Sequence, residues 1–325
     1  MSTNKYTERT ASSTTGGSLN YHIQEFALAQ GFGRLAKDLV VTKLITNYTA
    51  DAFNQGSRFA SNVRVPKRGT GTVANVTEDE KVAPSQVTST KADLAIDKHK
   101  TWDILVRDGG SLFAQEGLLT GYMLDGAQQL AETIEGDVIA EHANASGTIT
   151  STTPNTALLA EIRRTSRGNS HLFSMSAPKH IVWGPEAEEK LLQEGLFVKV
   201  NESGSQEALR DAYLGKIYGF ENYTSNLIAK ALGQEQNLVF QSDAIGIAFV
   251  DMDLESVPGT YAGAVNMQTM MFTDDENVPA YSLRSIIGYS QADRGTLITL
   301  DTIYGVKTVR SEHLINVKTG TLVSA

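Results

Sequence analysis

With 325 residues and a mass of 35.1 kDa, the chain is long enough for two packed cores or for one core with long extensions. Hydrophobic (41%) and charged (20%) contents are those of ordinary soluble protein, and the absence of cysteine excludes disulfides, thiolate zinc sites and cysteine nucleophiles, which suits a reducing cytosol. A net charge of −9 and a pI near 5.2 exclude the footprint of a high-affinity nucleic-acid binder, leaving at most weak or local contact. There is no run of eighteen apolar residues, and the opening MSTNKYTERTASSTTGG has no apolar stretch, so neither a membrane anchor nor a standard secretion signal is expected.

In chain order, residues 1 to about 20 are rich in Ser, Thr, Asn and Gly and read as an arm. Tyr21 to Val41 follows as a short amphipathic helix interrupted by Gly31 and Gly33, the kind of segment that docks on something larger. Residues 56 to 97 read as a long two-stranded hairpin. Val63 and Val65 alternate with polar residues, Gly69-Thr70-Gly71 forms a corner, Glu78-Asp79-Glu80-Lys81 is a charged tip, and Val87 to Ile96 returns. Such a hairpin is marginal in water unless it rests on another surface, and the sequence offers no obvious one within the chain, which points towards oligomerisation.

Trp102, Ile104 and Val106 predict a strand that feeds a long helix from Ser111 to about Ala145. There Leu112, Leu119, Met123, Ala127, Leu130, Ile134 and Val138 share one face. Gln115, Asp125, Gln128, Glu132, Glu135 and Glu141 are assigned to the solvated side, and Gly117, Gly121, Gly126 and Gly136 weaken the helix or mark close approaches. Ser146 to Asn155 reads as a linker. Beyond it a helix is expected over 156–167, a strand at His180–Trp183, and a helix from Pro185 to about Leu196 with Glu186, Glu188 and Glu189 at its positive end. Residues 201–212 read as a polar loop. Strands are expected at 214–223, 237–241 and 245–250, at 263–272 with 281–289, and in the closing stretch 296–317.

Little of this points to catalysis. The six histidines, His22, His99, His142, His171, His180 and His313, are scattered without metal-ligand spacing. The acidic groups Glu78-Asp79-Glu80, Asp251 with Asp253, and Asp274-Asp275-Glu276 have the chemistry of acid/base pairs or hard-cation ligands, yet the first and third fall where turns are expected. No nucleophile elbow, P-loop, zincin motif or dinucleotide turn occurs.

The order of parts resembles the major capsid protein of tailed bacteriophages, the HK97-fold family. Local text agrees: His180-Ile181-Val182-Trp183-Gly184-Pro185, Leu191-Leu192, Gly215-Lys216-Ile217-Tyr218-Gly219-Phe220 with Ser225-Asn226-Leu227, and Tyr304-Gly305-Val306-Lys307-Thr308-Val309. The resemblance implies an α+β, HK97-like fold. Its parts are an N-terminal arm (1–50), an extended hairpin or E-loop (51–96), a peripheral domain (97–150, completed by 301–325) with the long helix as its spine, and a mixed α/β axial domain (151–300).

The same resemblance implies a non-enzymatic, self-assembling shell of hexamers and pentamers in a virion, assembled in the host cytoplasm, with no cofactor, no metal and no membrane. A separate scaffolding protein, a portal and weakly contacted packaged double-stranded DNA are the expected partners. Inter-subunit contact is expected from the arm and hairpin through Tyr21, Phe26, Lys67, Arg68, Glu78, Asp79, Glu80 and Lys81. Rival readings are an encapsulin-like compartment, a soluble α/β enzyme using Asp251, Asp253 and a histidine, and a tail or adhesin protein.

Overall fold

The computed structural model describes residues 40–49, 62–67, 90–107, 118–168, 173, 177–193, 213–250, 265–272 and 281–321. The long amphipathic segment forms helix α1, Leu118–Ala140, 23 residues or roughly 35 Å, continued by a 3₁₀ turn over Glu141–Asn144. Ser111, Leu112, Gln115 and Gly117, where the sequence reading began this helix, lie outside the described residues. The apolar stripe is as expected: Met123, Ala127, Leu130, Ile134 and Val138 are all buried. Glu135 is the exception on the polar side, because it too is buried.

The stripe packs on a six-stranded sheet. Its strands are β1 (Thr46–Asn47), β4 (Lys98–Arg107), β11 (Ile245–Phe249), β12 (Val265–Phe272), β13 (Tyr281–Ser290) and β14 (Gly295–Thr308). β14 is the hub, pairing β13, β4 and β11, all antiparallel, while β1 adds parallel to β11. Because strand side chains alternate, Ile298, Leu300, Tyr304 and Val306 of β14 and Trp102, Ile104 and Val106 of β4 share the face under α1. Gly126 permits this contact, since a Cβ there would lie 2.6 Å from the Trp102 ring.

Among the described residues no such neighbour meets Gly121 or Gly136, so the three glycines of α1 are separable. Ala at Gly121 or Gly136 is expected to raise stability by up to about 1 kcal/mol through helix propensity. Ala at Gly126 should lower it by about 1–2 kcal/mol, as overpacking against the indole outweighs that gain. Urea midpoints of the three variants check this, and a stabilising Gly126→Ala would contradict the close approach.

A second sheet of seven strands runs β5 (Gly147–Ser151), β15 (Leu314–Thr319), β10 (Gln234–Gln241), β6 (Lys179–Trp183), β8 (Phe220–Thr224) and β7 (Tyr213–Ile217), with β9 (Lys230–Ala231) also on β10. It is covered on both faces. Val182, Leu238, Phe240 and Leu314 point to the core shared with α1, while Ile181, Trp183, Val239, Ile315 and Val317 point to a second core. The second core is closed by helices α2 (Thr156–Ser166) and α3 (Pro185–Gln193). Asn155 caps α2, its Oδ1 accepting from Leu158 N at 2.9 Å.

Three local expectations are corrected. The Ser/Thr/Gly stretch read as a linker contains strand β5, which pairs parallel with β15 and buries Ile149. The run 214–223 is two strands, β7 and β8, turned at Tyr218-Gly219, whose positive φ values of 52 and 87 fit a tight hairpin turn. β10 begins earlier than expected, at Gln234, because its polar start is fully bonded inside the fold. Strand pairing also crosses the sequence ranges drawn around residues 150 and 300. β11, β12 and β13 join β4 through β14, and β15 joins the sheet of β6 and β10.

Candidate assembly elements

Strand β2 (Asn62–Lys67) and strand β3 (Thr90–Ala95) form the antiparallel root of the predicted hairpin, in register from Asn62 with Ala95 to Lys67 with Thr90. The root does have a seat within its own chain. Val63 and Leu94 are fully buried with Ala248 of β11, flanked by Tyr48 and Ile96. Gly305 of β14 lets the chain pass, for a Cβ there would collide with the Ala95 carbonyl and lie 2.9 Å from the Ile96 Cα. Lys307 Nζ donates to the Asp93 carbonyl at 2.8 Å. The Arg64–Asp93 and Lys91–Asp93 pairs, at 4.0 and 3.8 Å and largely exposed, add little.

The root of the N-terminal extension reaches the same place. Thr46 donates to the Ser242 carbonyl through N (2.9 Å) and Oγ1 (2.8 Å), Tyr48 N donates to the Ile247 carbonyl (2.8 Å), and Phe249 N donates to Thr49 Oγ1 (3.0 Å). Gly246 leaves room for the Tyr48 ring, 2.8 Å from where its Cβ would be. Strand β11 beside the end of β14 is therefore contacted both by the β2–β3 pair and by Thr46–Thr49.

Of the residues expected to make inter-subunit contact, Lys67 is placed as the last residue of β2, half-buried. Tyr21, Phe26, Arg68, Glu78, Asp79, Glu80 and Lys81 lie outside the described residues, as do Asp251, Asp253 and the 274–276 acidic group. Among the described residues no group of three or more His, Asp or Glu side chains is placed to hold a metal, and no helix is long and apolar enough to cross a membrane.

The polar side chains that matter to the subunit were not singled out by sequence. Glu235, 0% exposed, caps α3: its carboxylate accepts from Glu186 N and Ala187 N, each at 2.9 Å. Beside it Asn237 Oδ1 accepts from Gly184 N (2.7 Å), and its amide nitrogen donates to Val317 O (3.1 Å) and Thr319 Oγ1 (2.7 Å). On the first sheet Asp301 binds Arg284, with Nε–Oδ1 at 2.8 Å, and His99 Nε2 at 3.0 Å. Asp137 accepts from the Tyr304 hydroxyl (2.6 Å) and pairs with Lys98 (3.1 Å); burial and this carboxylate push the phenol far above its ordinary range.

The histidines are accounted for structurally where described. His313 bonds Asp243 at 2.9 Å, and His142 Nδ1 meets the Ile139 carbonyl at 2.9 Å. His180 lies between Ser242 Oγ (3.2 Å from Nε2) and Glu221 (3.4 Å from Nδ1), an order reminiscent of nucleophile, base and acid. His180 is 4% exposed, its ring is packed between Phe240 and Tyr223, and burial lowers its pKa towards the neutral form.

A long helix over a β14-centred sheet and a second α/β layer make up an HK97-type capsid fold. The comparisons with solved structures agree. The chain is similar to the capsid chain of Cyanophage Pam1 (TM-score 0.61, 10% identity, 98% of each chain covered) and to that of Cyanophage P-SCSP1u (TM-score 0.59, 14% identity, 87% of this chain and 88% of that one). It is also similar to a chain of Mycobacterium phage Che8 (TM-score 0.58, 18% identity, 86% and 90%). No protein-family model and no curated protein sequence matches.

Proposed function

We propose that the chain is a structural major capsid protein, not an enzyme, whose copies assemble as hexamers and pentamers of an icosahedral shell around the double-stranded DNA of a tailed phage. The observation that carries this reading is the end-to-end likeness of fold to phage capsid chains. Extensions that reach onto neighbours supply buried area that a compact subunit lacks, and many modest identical contacts add up through multivalency. In this reading the arm, through Tyr21 and Phe26, and the hairpin, through Lys67, Arg68, Glu78, Asp79, Glu80 and Lys81, touch adjacent subunits. The net charge of −9 suits a wall that must not hold DNA tightly. Scaffolding and portal are separate proteins, and the shell forms in the host cytoplasm.

Light scattering coupled to size exclusion tests the reading. Purified chain, alone or with its co-expressed scaffold, is expected as capsomers or closed shells, whereas a monomer that nothing assembles would overturn it. Deleting Gly71 to Pro84 should leave a folded subunit that does not assemble, because the hairpin root is seated independently of that stretch.

A further inference from the structure

The chain is acidic overall, yet cations gather where α2 meets the β7 side of the second sheet. Arg163 and Arg167 stand one helical turn apart at the end of α2. Arg163 Nη1 donates to the Tyr218 carbonyl at 3.0 Å, which ties the helix to the β7–β8 turn. Lys216 lies on β7 two residues before that tyrosine and is exposed. Lys179 opens β6, and strand alternation directs it, like Ile181, to the α2 side. Strand register brings the two lysines near each other: β6 pairs with β8 through His180 and Glu221, and β8 with β7 through Glu221 and Lys216.

Helix chemistry explains part of this set. Arg163 and Arg167 suit the negative end of α2, but Lys179 and Lys216 belong to strands. Two described carboxylates beside the set are engaged with other groups, Glu161 with Arg164 (3.8 Å) and Glu221 with His180 (3.4 Å). Residues 168–178, which link the arginines to Lys179, include His171 and no Asp or Glu, and residues 213–220 around Lys216 have none either. Burial, and after it the charges of Arg167, Lys216 and Arg163, hold the Lys179 ammonium below the ordinary lysine range. Like charges so close repel, and an anion that spans them relieves the repulsion.

We infer that this corner of the second sheet is a phosphate-backbone contact: Arg163, Arg167, Lys179 and Lys216, set around the exposed Tyr218, take the sugar-phosphate chain of double-stranded DNA without reading its sequence. The inference rests on the reading that the shell holds such DNA, and it names where the wall touches it. An acidic peptide is the less suitable occupant. Protein interfaces deplete lysine and keep charge to the rim, whereas cations spread over a helix and two strands suit a run of phosphates. Contact of this kind is weak and steeply salt-dependent, so an otherwise acidic wall touches DNA locally without holding it fast.

Fluorescence anisotropy of a labelled short duplex with the full chain, in its unassembled state, tests the contact. With four phosphates neutralised, affinity should fall about tenfold for each doubling of salt. Arg167→Gln combined with Lys216→Gln, both at exposed positions, should reduce that to about fourfold, while Lys91→Gln on β3 should leave it unchanged. Acetylation footprinting needs no variant: the duplex should protect Lys179 and Lys216 and leave Lys91 reactive. No binding at low salt, a salt dependence that the double variant does not alter, or equally tight binding of a polyglutamate peptide of matching charge would overturn the inference. Patch-dependent DNA binding by a chain that nothing assembles would sustain the contact and count against the capsid reading alone.

Discussion

Replacing Asp301 with alanine is expected to destabilise the subunit by about 3–5 kcal/mol, the range for breaking a buried ion pair from one side. Asp301 is 2% exposed and stands on the face of β14 away from α1. Arg284 lies directly across on β13 and grips the carboxylate with two guanidinium nitrogens, while His99 reaches the same carboxylate from β4 on the other edge. One side chain thus ties three strands together across their middle. Without it the Arg284 guanidinium, itself mostly buried, keeps its charge and loses its acceptor. Asp301→Asn retains an acceptor and should lose less. Replacing both Arg284 and Asp301 with apolar residues of similar volume should recover much of the loss, because the desolvation of both charges disappears together. Denaturant unfolding of the unassembled subunit measures all three, and a loss under about 1 kcal/mol for Asp301→Ala would mean that the strands are held by pairing and packing alone.

The contrast between Asp301 and the α1 stripe explains what the sequence discloses. Met123 to Val138 could be placed because the pattern is local: every partner choice is decided by a repeat within one helix. The same holds for His180 to Pro185, where a short apolar strand meets a proline at a first helical turn. Glu135, Glu235, Asn237 and Asp301 could not be placed, since a lone carboxylate or amide reads as surface until its partner is known. Those partners are far along the chain, as Glu135 is from Val41 and Asn237 from Val317. β5 failed for the same reason. Gly147–Ser151 has a linker's composition, and only pairing with β15 at the far end of the chain makes it a strand. The one usable signal was the acidic or amide residue inside a strand-like run, as in Gln234-Glu235-Gln236-Asn237 before Leu238, where a bonded interior is the alternative to a loop. The seat of the hairpin was equally hidden, because it depends on what is absent at Gly305.

Gly305→Val is expected to uncouple assembly from folding. The need for glycine is one of space: its φ is not in the left-handed region, but its missing Cβ leaves room for the Ala95 carbonyl and the Ile96 Cα. Those are backbone atoms and cannot rotate aside, so β14 or the strand leaving the hairpin must move. Overpacking of this kind costs about 1–3 kcal/mol. The larger consequence is in aim. Were residues 68–89 to continue as the extended hairpin that the sequence reading expects, a tilt of about 10° at the β2–β3 root would carry a tip roughly 35 Å away by about 6 Å. Contacts between neighbours in a shell tolerate far less than that. The variant should therefore give a soluble subunit with near-native circular dichroism whose shell yield, by light scattering, falls close to that of the hairpin deletion. Gly305→Ala should show the same direction with a smaller drop. Shells formed at the natural yield by Gly305→Val would mean that the hairpin finds its neighbour by flexing beyond Lys67, and that its seat on β11 and β14 does not set its direction.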